Sequence, residues 1–426
     1  MELSADERRL LDGGAGPAPA MAMAVITRMG ELAGAARLIP ITGAHIDSCL
    51  YHGSVGLDFA ERLVAGGGQV QVPTTLNVSA LDLLHPSLVR LDDATRDLAR
   101  RLMDAYIALG CQPTWTCAPY QLPSRPSQGE HVAWAESNAI VFANSVLGAR
   151  TDRYGDFIDV CAALVGRVPL AGLHLDRERR ARICFTLSDA VRERAAASRS
   201  NAELCGLIGH IVGRQSGTLV PVLDGLPERT TEDDLKALGA AAASSGSVGL
   251  CHVVGVTPEA DTLADACAGR EPERTVEIDT TMLARAWHEM TTWDGQSPLA
   301  AVSVGTPHFS AAELAELDRL LAGRFVDRRV EVYVSTGRDI ASSIAVGGII
   351  ERLARAGVSI VVDTCTYVTP IVRAGRGAVV MTDSAKWAWY GPGNLGVQVV
   401  YGSLADCVES AVSGRVVRER PRYLDG

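Results

Sequence analysis

Helical and extended patterns alternate along this chain, and that alternation restricts the fold more than any other feature of the sequence. The stretch 21–35 (MAMAVITRMGELAGA) has a helical spacing of apolar residues, and 37–41 (RLIPI) reads as a short strand. A helix over 57–68 ends in glycines, a strand over 69–75 runs into a polar turn, and a helix over 99–110 closes at Gly110. The later half repeats the grammar: helix 231–243, strand 247–256, strand 298–305, helix 310–323, strand 329–336, helix 341–357 and strand 358–365. Ser4 with Glu7, and Ser310 with Glu313, have the spacing of a capping box. Such alternation predicts an α/β protein with mostly parallel sheets flanked by helices. At 426 residues the chain is too long for one core. Two or three subdomains are expected, with boundaries at the turn-rich stretches near 215–230 and 290–297.

Charge and composition exclude several classes of function. A formal net charge of -10 argues against a nucleic-acid surface. The basic run RERR at 177–180 reads as a solvated helix face. The most apolar stretch, 342–350, is too short and glycine-rich to span a membrane. The acidic N-terminus lacks the basic start and apolar stretch of a leader, so the expectation is a cytoplasmic protein with no membrane or nucleic-acid partner. Ten cysteines at irregular spacings do not form a disulfide framework in such a compartment, and for each the plain reading is a small buried side chain. Cys161 and Cys267 lie in helical patterns, and Cys184, Cys205 and Cys407 have no polar constellation around them.

Familiar catalytic loops are absent. The stretch 391–396 (GPGNLG) matches a dinucleotide loop in spelling, but Pro392 interrupts it and a strand pattern follows where a helix is required. His131 and Glu136 are five positions apart, a poor spacing for a shared metal on a helix. What remains is a set of polar segments, several at the carboxyl ends of expected strands, where parallel sheets gather their active residues. They are 41–53 (ITGAHIDSCLYHG), 73–78 (PTTLNV), 135–153 (AESNAIVFANSVLGARTDR) and 382–394 (TDSAKWAWYGPGN). Cys117, 305–308 and 363–365 fall at strand ends as well. Each segment alone could be a turn or a cap; together they suggest a polar pocket built from distant parts of the chain.

The stretches TCAPYQ (116–121), ESNAIVFANSVLGART (136–151), HVVGVTPEA (252–260), GTPHFSAAEL (305–314) and VVDTC (361–365) are long, ordered and spread over the whole chain. With them the sequence resembles the aconitase X family of the aconitase superfamily of hydro-lyases. The resemblance implies a multi-domain aconitase-like fold and an iron–sulfur-dependent dehydratase, with Cys117 and Cys365 as cluster ligands. Where the archaeal branch carries a further cysteine this chain has Thr306, so the cluster, 2Fe–2S or 4Fe–4S, needs another ligand. His308, Cys111, Cys251 or a partner residue is a candidate, with Cys49 an outsider.

The family dehydrates either cis-3-hydroxy-L-proline or phosphomevalonate. The segment 41–53 offers His45, Asp47 and His52 but no Lys or Arg, which favours a ring ammonium over a phosphate. Asp47 is the candidate for that ammonium, Arg150 and Lys386 for the substrate carboxylate, and Thr75, Asn77, Ser137 and Asn138 for hydrogen bonds, with His45 beside them. The resemblance also implies a small swivelling domain, here expected as a separate subunit that carries the general base. A zinc-site structural or assembly protein, with Cys117, Cys365 and His308 as ligands, is the reading from another class.

Overall fold

The computed structural model describes residues 1–198, 201–421 and 424. It divides into two compact units, Met1–Leu81 with Leu91–Arg180, and Asp82–Arg90 with Ala181–Gly426.

The first unit opens on the helix Ala5–Leu11, whose Ser4–Glu7 capping box is formed in both directions. Strand β1 (Leu38–Pro40) will pair at a distance; β2 (Ala44–Ile46), β3 (Thr74–Leu76) and β4 (Ala133–Trp134) make a parallel sheet in the order β3-β2-β4. Strand β5 (Arg167–Pro169) pairs antiparallel with β1. The helix Ile158–Val165 packs on β2 and on the helix Pro17–Leu32 and is buried from Asp159 to Val165. Two expectations change here. The strand lies at Thr74–Leu76, in what reads as a polar turn, and β2 lies inside the polar segment 41–53. Their polar side chains are buried but bonded: His45 Nδ1 lies 2.8 Å from Thr75 Oγ1, and Thr74 Oγ1 donates to the Val72 carbonyl at 2.8 Å. The run 177–180 also differs from a solvated face. Arg179 is buried, and its guanidinium donates to the Asn144 side-chain oxygen and carbonyl, each at 2.9 Å.

The second unit holds two fully parallel sheets. Strands β6 (Ile183–Leu187), β7 (Pro221–Asp224), β8 (His252–Val253) and β9 (Arg274–Ile278) lie in the order β8-β7-β6-β9. Strands β10 (Leu299–Phe309), β11 (Glu331–Thr336), β12 (Val358–Val361), β13 (Val379–Thr382) and β14 (Gln398–Tyr401) lie in the order β12-β11-β10-β13-β14. Leu314, Leu317 and Leu321, at helical spacing on Ala311–Leu321, bury against Val302, Val332 and Val334 of the larger sheet. Each such side chain contributes about 1.5–3 kcal/mol on burial. The stretch 215–230 lies within this unit and contains β7, whereas 290–297 separates the helix Thr280–Glu289 from β10.

Three local readings shift in this unit. The expected helix over 341–357 is two helices, Arg338–Ala345 and Ile349–Ala356, broken at Gly347–Gly348, with Gly348 at a φ of +68°. The strand expected over 247–256 is extended only at His252–Val253. Strand β10 continues past Gly305 to Phe309, with its register against β11 shifting between Val304 and Phe309. The stretch 391–396 forms the last turn of the helix Ala385–Leu395 and its cap, so it offers no helix N-terminus to a phosphate. Among the described residues no helix is long and apolar enough to cross a membrane.

Candidate functional site

In the first unit the parallel strands β2, β3 and β4 end side by side, so Asp47 and Asn77, which directly follow β2 and β3, and Glu136, two residues past the end of β4, share one edge of the sheet. His45 and Thr75 are register partners, and His45 Nδ1 lies 2.8 Å from Thr75 Oγ1. Burial lowers the His45 imidazole to about 3, which keeps the ring neutral, and its buried Nε2 has no hydrogen-bond partner among the described residues.

The Asp47 carboxylate accepts from the Asn77 amide, and the Asp47 N–H donates to Asp159 Oδ2 at 2.7 Å. Burial, followed by the charges of Glu136 and Asp156, pushes the Asp47 carboxyl up to about 7, against the lowering effect of the Asn77 bond. Burial likewise raises Asp159 to about 6, while the N–H groups of Val160, Asp47 and Ser48 oppose it. Acidic groups therefore crowd this edge, and an arriving cation would relieve their repulsion.

Glu136 caps the helix Ser137–Ser145 by accepting from the Ala139 N–H at 2.8 Å. Ser137 Oγ is 3.4 Å from Glu136 Oε1. The Asn138 amide donates to Glu136 and, at 2.9 Å, to the Cys117 carbonyl, and its oxygen accepts from the Tyr120 hydroxyl at 2.7 Å. Asn138 thus holds the loop that carries Cys117. Cys111 lies apart from that arrangement; burial pushes its thiol up to about 12. Cys49 donates to the carbonyls of Ile46 and Asn77 at 3.4 and 3.3 Å, and burial holds its thiol well above the ordinary range.

Arg150 is placed elsewhere in the unit. It donates to the His174 carbonyl at 3.2 Å and pairs with Asp176, beside a His131–His174 contact of 2.9 Å between their Nδ1 atoms.

In the second unit the carboxyl ends of β10, β12 and β13 carry the remaining candidates. His308, near the end of β10, has Nε2 at 3.2 Å from the Thr364 carbonyl, and one of its ring nitrogens lies within 4.8 Å of Cys365 Sγ. Burial lowers the His308 imidazole to about 4; the Thr364 carbonyl opposes this, and the positive charges of Lys236 and Lys386 reinforce it. The ring is therefore neutral, the form that binds a metal. Thr306 is buried, and its hydroxyl has no hydrogen-bond partner among the described residues. Lys386 is buried in the first turn of the helix that follows β13. It lines a cavity of about 40 Å³ with Thr306, Asp383, Lys236 and Glu313. Cys251 is distinct from this group: it donates to the His252 carbonyl at 3.7 Å, and burial pushes its thiol up to about 12.

Sequence reasoning missed Arg338 and Asp82. Arg338 pairs with Asp363 through two bonds, Nη2–Oδ2 at 2.6 Å and Nε–Oδ1 at 2.5 Å, at the turn before Cys365. The only local signal was an Arg just past a strand end in STGRD (335–339). The donors at the ends of β10 and β12, the Cys365 sulfur, the neutral His308 imidazole and the Thr306 hydroxyl, fit the sulfur and nitrogen ligation of an iron–sulfur centre.

The chain matches the Aconitase X first domain over residues 1–177, the second over 182–288 and the third over 299–413. It is 42% identical to a cis-3-hydroxy-L-proline dehydratase of Hypocrea jecorina, over 100% of this chain and 71% of that protein. It is 43% identical to one of Pseudomonas aeruginosa, over 99% of this chain and 72% of that protein. It is 34% identical to a phosphomevalonate dehydratase large subunit of Methanosarcina mazei, over 97% of this chain and 98% of that protein. The crystal structure of Thermococcus kodakaraensis aconitase X in its holo-form is similar with a TM-score of 0.86 at 29% identity, covering 96% of this chain and 100% of that one. With matched domains in order along nearly its whole length and an α/β architecture of mainly parallel sheets in common, the chain belongs to the aconitase X family.

Proposed function

We propose that this chain is the large, cluster-bearing part of a hydro-lyase that dehydrates cis-3-hydroxy-L-proline to a pyrroline carboxylate. The observation that carries the reading is the identity of 42% and 43% to two cis-3-hydroxy-L-proline dehydratases, against 30% to 35% for phosphomevalonate dehydratase large subunits. The acidic edge of the first unit agrees with it. Asp47, surrounded by Glu136, Asp156 and Asp159, suits a ring ammonium and repels a phosphate.

Hydroxide is a poor leaving group, and a proton alpha to a carboxylate is weakly acidic. Cys117 and Cys365, with His308 or the Thr306 position completing the set, would hold an iron–sulfur cluster, which would supply Lewis-acid assistance to the departing hydroxyl. The chain's own residues bind and orient. Asp47 holds the ring nitrogen, Asn77 and Thr75 with His45 fix hydrogen bonds beside it, and Glu136, Ser137 and Asn138 shape the strand end. Lys386 and Arg150 are the candidates for the substrate carboxylate, and Arg150 also pairs with Asp176. The proton alpha to that carboxylate goes to a base on a separate small swivelling subunit, which we propose as the partner. The whole works in a reducing, cytoplasmic setting.

The test is co-expression with a candidate small-subunit gene and anaerobic assay on cis-3-hydroxy-L-proline and on phosphomevalonate. Turnover of the first alone supports the reading; turnover of the second alone shows the other branch. A colourless protein with stoichiometric zinc would establish the structural-site reading instead.

A further inference from the structure

Asp363 is buried, is not glycine, and has a φ of +64°, two positions before Cys365. An L side chain in that region persists only where its surroundings over-determine it. Here they do. Asp363 Oδ2 accepts from the Leu83 N–H at 3.0 Å, and both carboxylate oxygens take the Arg338 fork. Asp82, also buried, answers in kind. Its Oδ2 accepts from the Val362 N–H at 3.1 Å, and its Oδ1 accepts from the N–H groups of Leu84 and His85 at 3.0 and 2.7 Å.

The segments 82–85 and 362–363 therefore exchange backbone N–H groups for carboxylates in both directions, all within the second unit. The turn fixed in this way is the one that places Thr364 against His308, and its next carbonyl, that of Cys365, accepts from the N–H groups of Val368 and Thr369 at 3.2 Å each.

We propose that the Asp82–Asp363 clasp, locked by Arg338, is a positioning device that aims Cys365 at the cluster. The inference rests on the reading of Cys365 as a ligand. Two adjacent buried carboxylates repel each other, and the Arg338 guanidinium offsets that repulsion while its planar fork fixes the Asp363 side chain. Remove the fork or the carboxylate, and the left-handed turn loses what holds it.

The experiment uses the full chain, reconstituted anaerobically, in the variants Asp363→Ala, Asp363→Asn, Arg338→Gln, Arg338→Lys and Cys365→Ser. The readouts are the visible spectrum, the half-life of the chromophore under an iron chelator, and the thermal midpoint by circular dichroism. Asp363→Ala and Arg338→Gln shorten the chelator half-life about 10–100-fold, the range expected when a group orienting a ligand is lost. Asp363→Asn, which tolerates the left-handed backbone and keeps an acceptor, restores most of it. Arg338→Lys, which keeps the charge but not the fork, falls between and guards against a folding failure in Arg338→Gln. Wild-type spectrum and half-life in both Asp363→Ala and Arg338→Gln would overturn the proposal, even with a lowered thermal midpoint. Full colour in Cys365→Ser would overturn instead the reading of Cys365 as a ligand.

Discussion

The Asn138 side-chain amide donates to the Cys117 carbonyl at 2.9 Å, so a residue in the first turn of a helix also holds the loop that presents a cysteine. Its oxygen is taken by the Tyr120 hydroxyl at 2.7 Å, and the whole group is buried. Asn138→Ala removes these two bonds and the one its amide donates to Glu136, and leaves the Tyr120 hydroxyl without this acceptor. We expect a loss of about 1–3 kcal/mol in chemical unfolding followed by circular dichroism. Tyr120→Phe removes one bond and costs less, about 0.5–1.5 kcal/mol. Equal stability of Asn138→Ala and wild type would contradict this assignment.

Asp47 gives a signed pH dependence. Its carboxyl has an ordinary value near 3.8 and is pushed up to about 7 in the fold, chiefly by burial. The folded state therefore binds this proton more tightly than the unfolded state does. Its contribution to stability is complete below about 3.8 and is lost as pH rises through about 7. Asp47→Asn removes that loss. The difference in thermal midpoint between variant and wild type should move in favour of the variant from about pH 5 to about pH 8. A constant difference, or one moving the other way, would show that Asp47 is not held protonated.

Gly305 precedes Thr306 at a φ of +87°, and a Cβ there would lie 2.2 Å from the Ser335 carbonyl oxygen on β11. The three nearest atoms, the Ser335 carbonyl oxygen, nitrogen and carbonyl carbon, are all backbone. Gly305→Ala combines a left-handed L-residue with backbone overlap, and we expect a loss on the order of 2–4 kcal/mol. Unfolding midpoints of variant and wild type measure it directly, and coincident curves would refute the geometry around Thr306.

Lys236 is buried between Asp233, at 2.9 Å, and Glu313. Lys236→Met leaves two acidic groups near each other without their cation. The expected cost is about 3–5 kcal/mol, because breaking a buried pair strands the partner charge. A double change, Lys236→Met with Glu313→Gln, should recover part of it; no recovery would mean that the lysine acts through packing alone.

Much of this architecture was legible in the sequence because its signals are local. The capping boxes at Ser4–Glu7 and Ser310–Glu313 form as their spacing requires, and the strand patterns at 329–336 and 358–365 become β11 and β12. Strands β2 and β3 were hidden because Thr75, His45 and Asp47 look like turn residues. They are buried through bonds to one another, which no local pattern displays. The break at Gly347–Gly348 was masked by a continuous apolar spacing on either side. The site divides in the same way. Asp47, Asn77 and Thr75 stood out as candidates because they cluster in short polar runs. Asp82 and Arg338 were not, since the partner of each, Val362 or Asp363, is distant in the sequence. A cysteine such as Cys117, with no paired neighbour, carries no spacing signal, and only the family resemblance gave it a role.

The central claim is tested most directly by giving the anaerobically purified complex of this chain and a small subunit cis-3-hydroxy-L-proline and following formation of the pyrroline carboxylate. We predict a coloured enzyme that turns over this substrate and not phosphomevalonate, and that loses both colour and turnover in Cys117→Ser and Cys365→Ser. A complex that dehydrates phosphomevalonate alone, or keeps full colour in both cysteine variants, would contradict it.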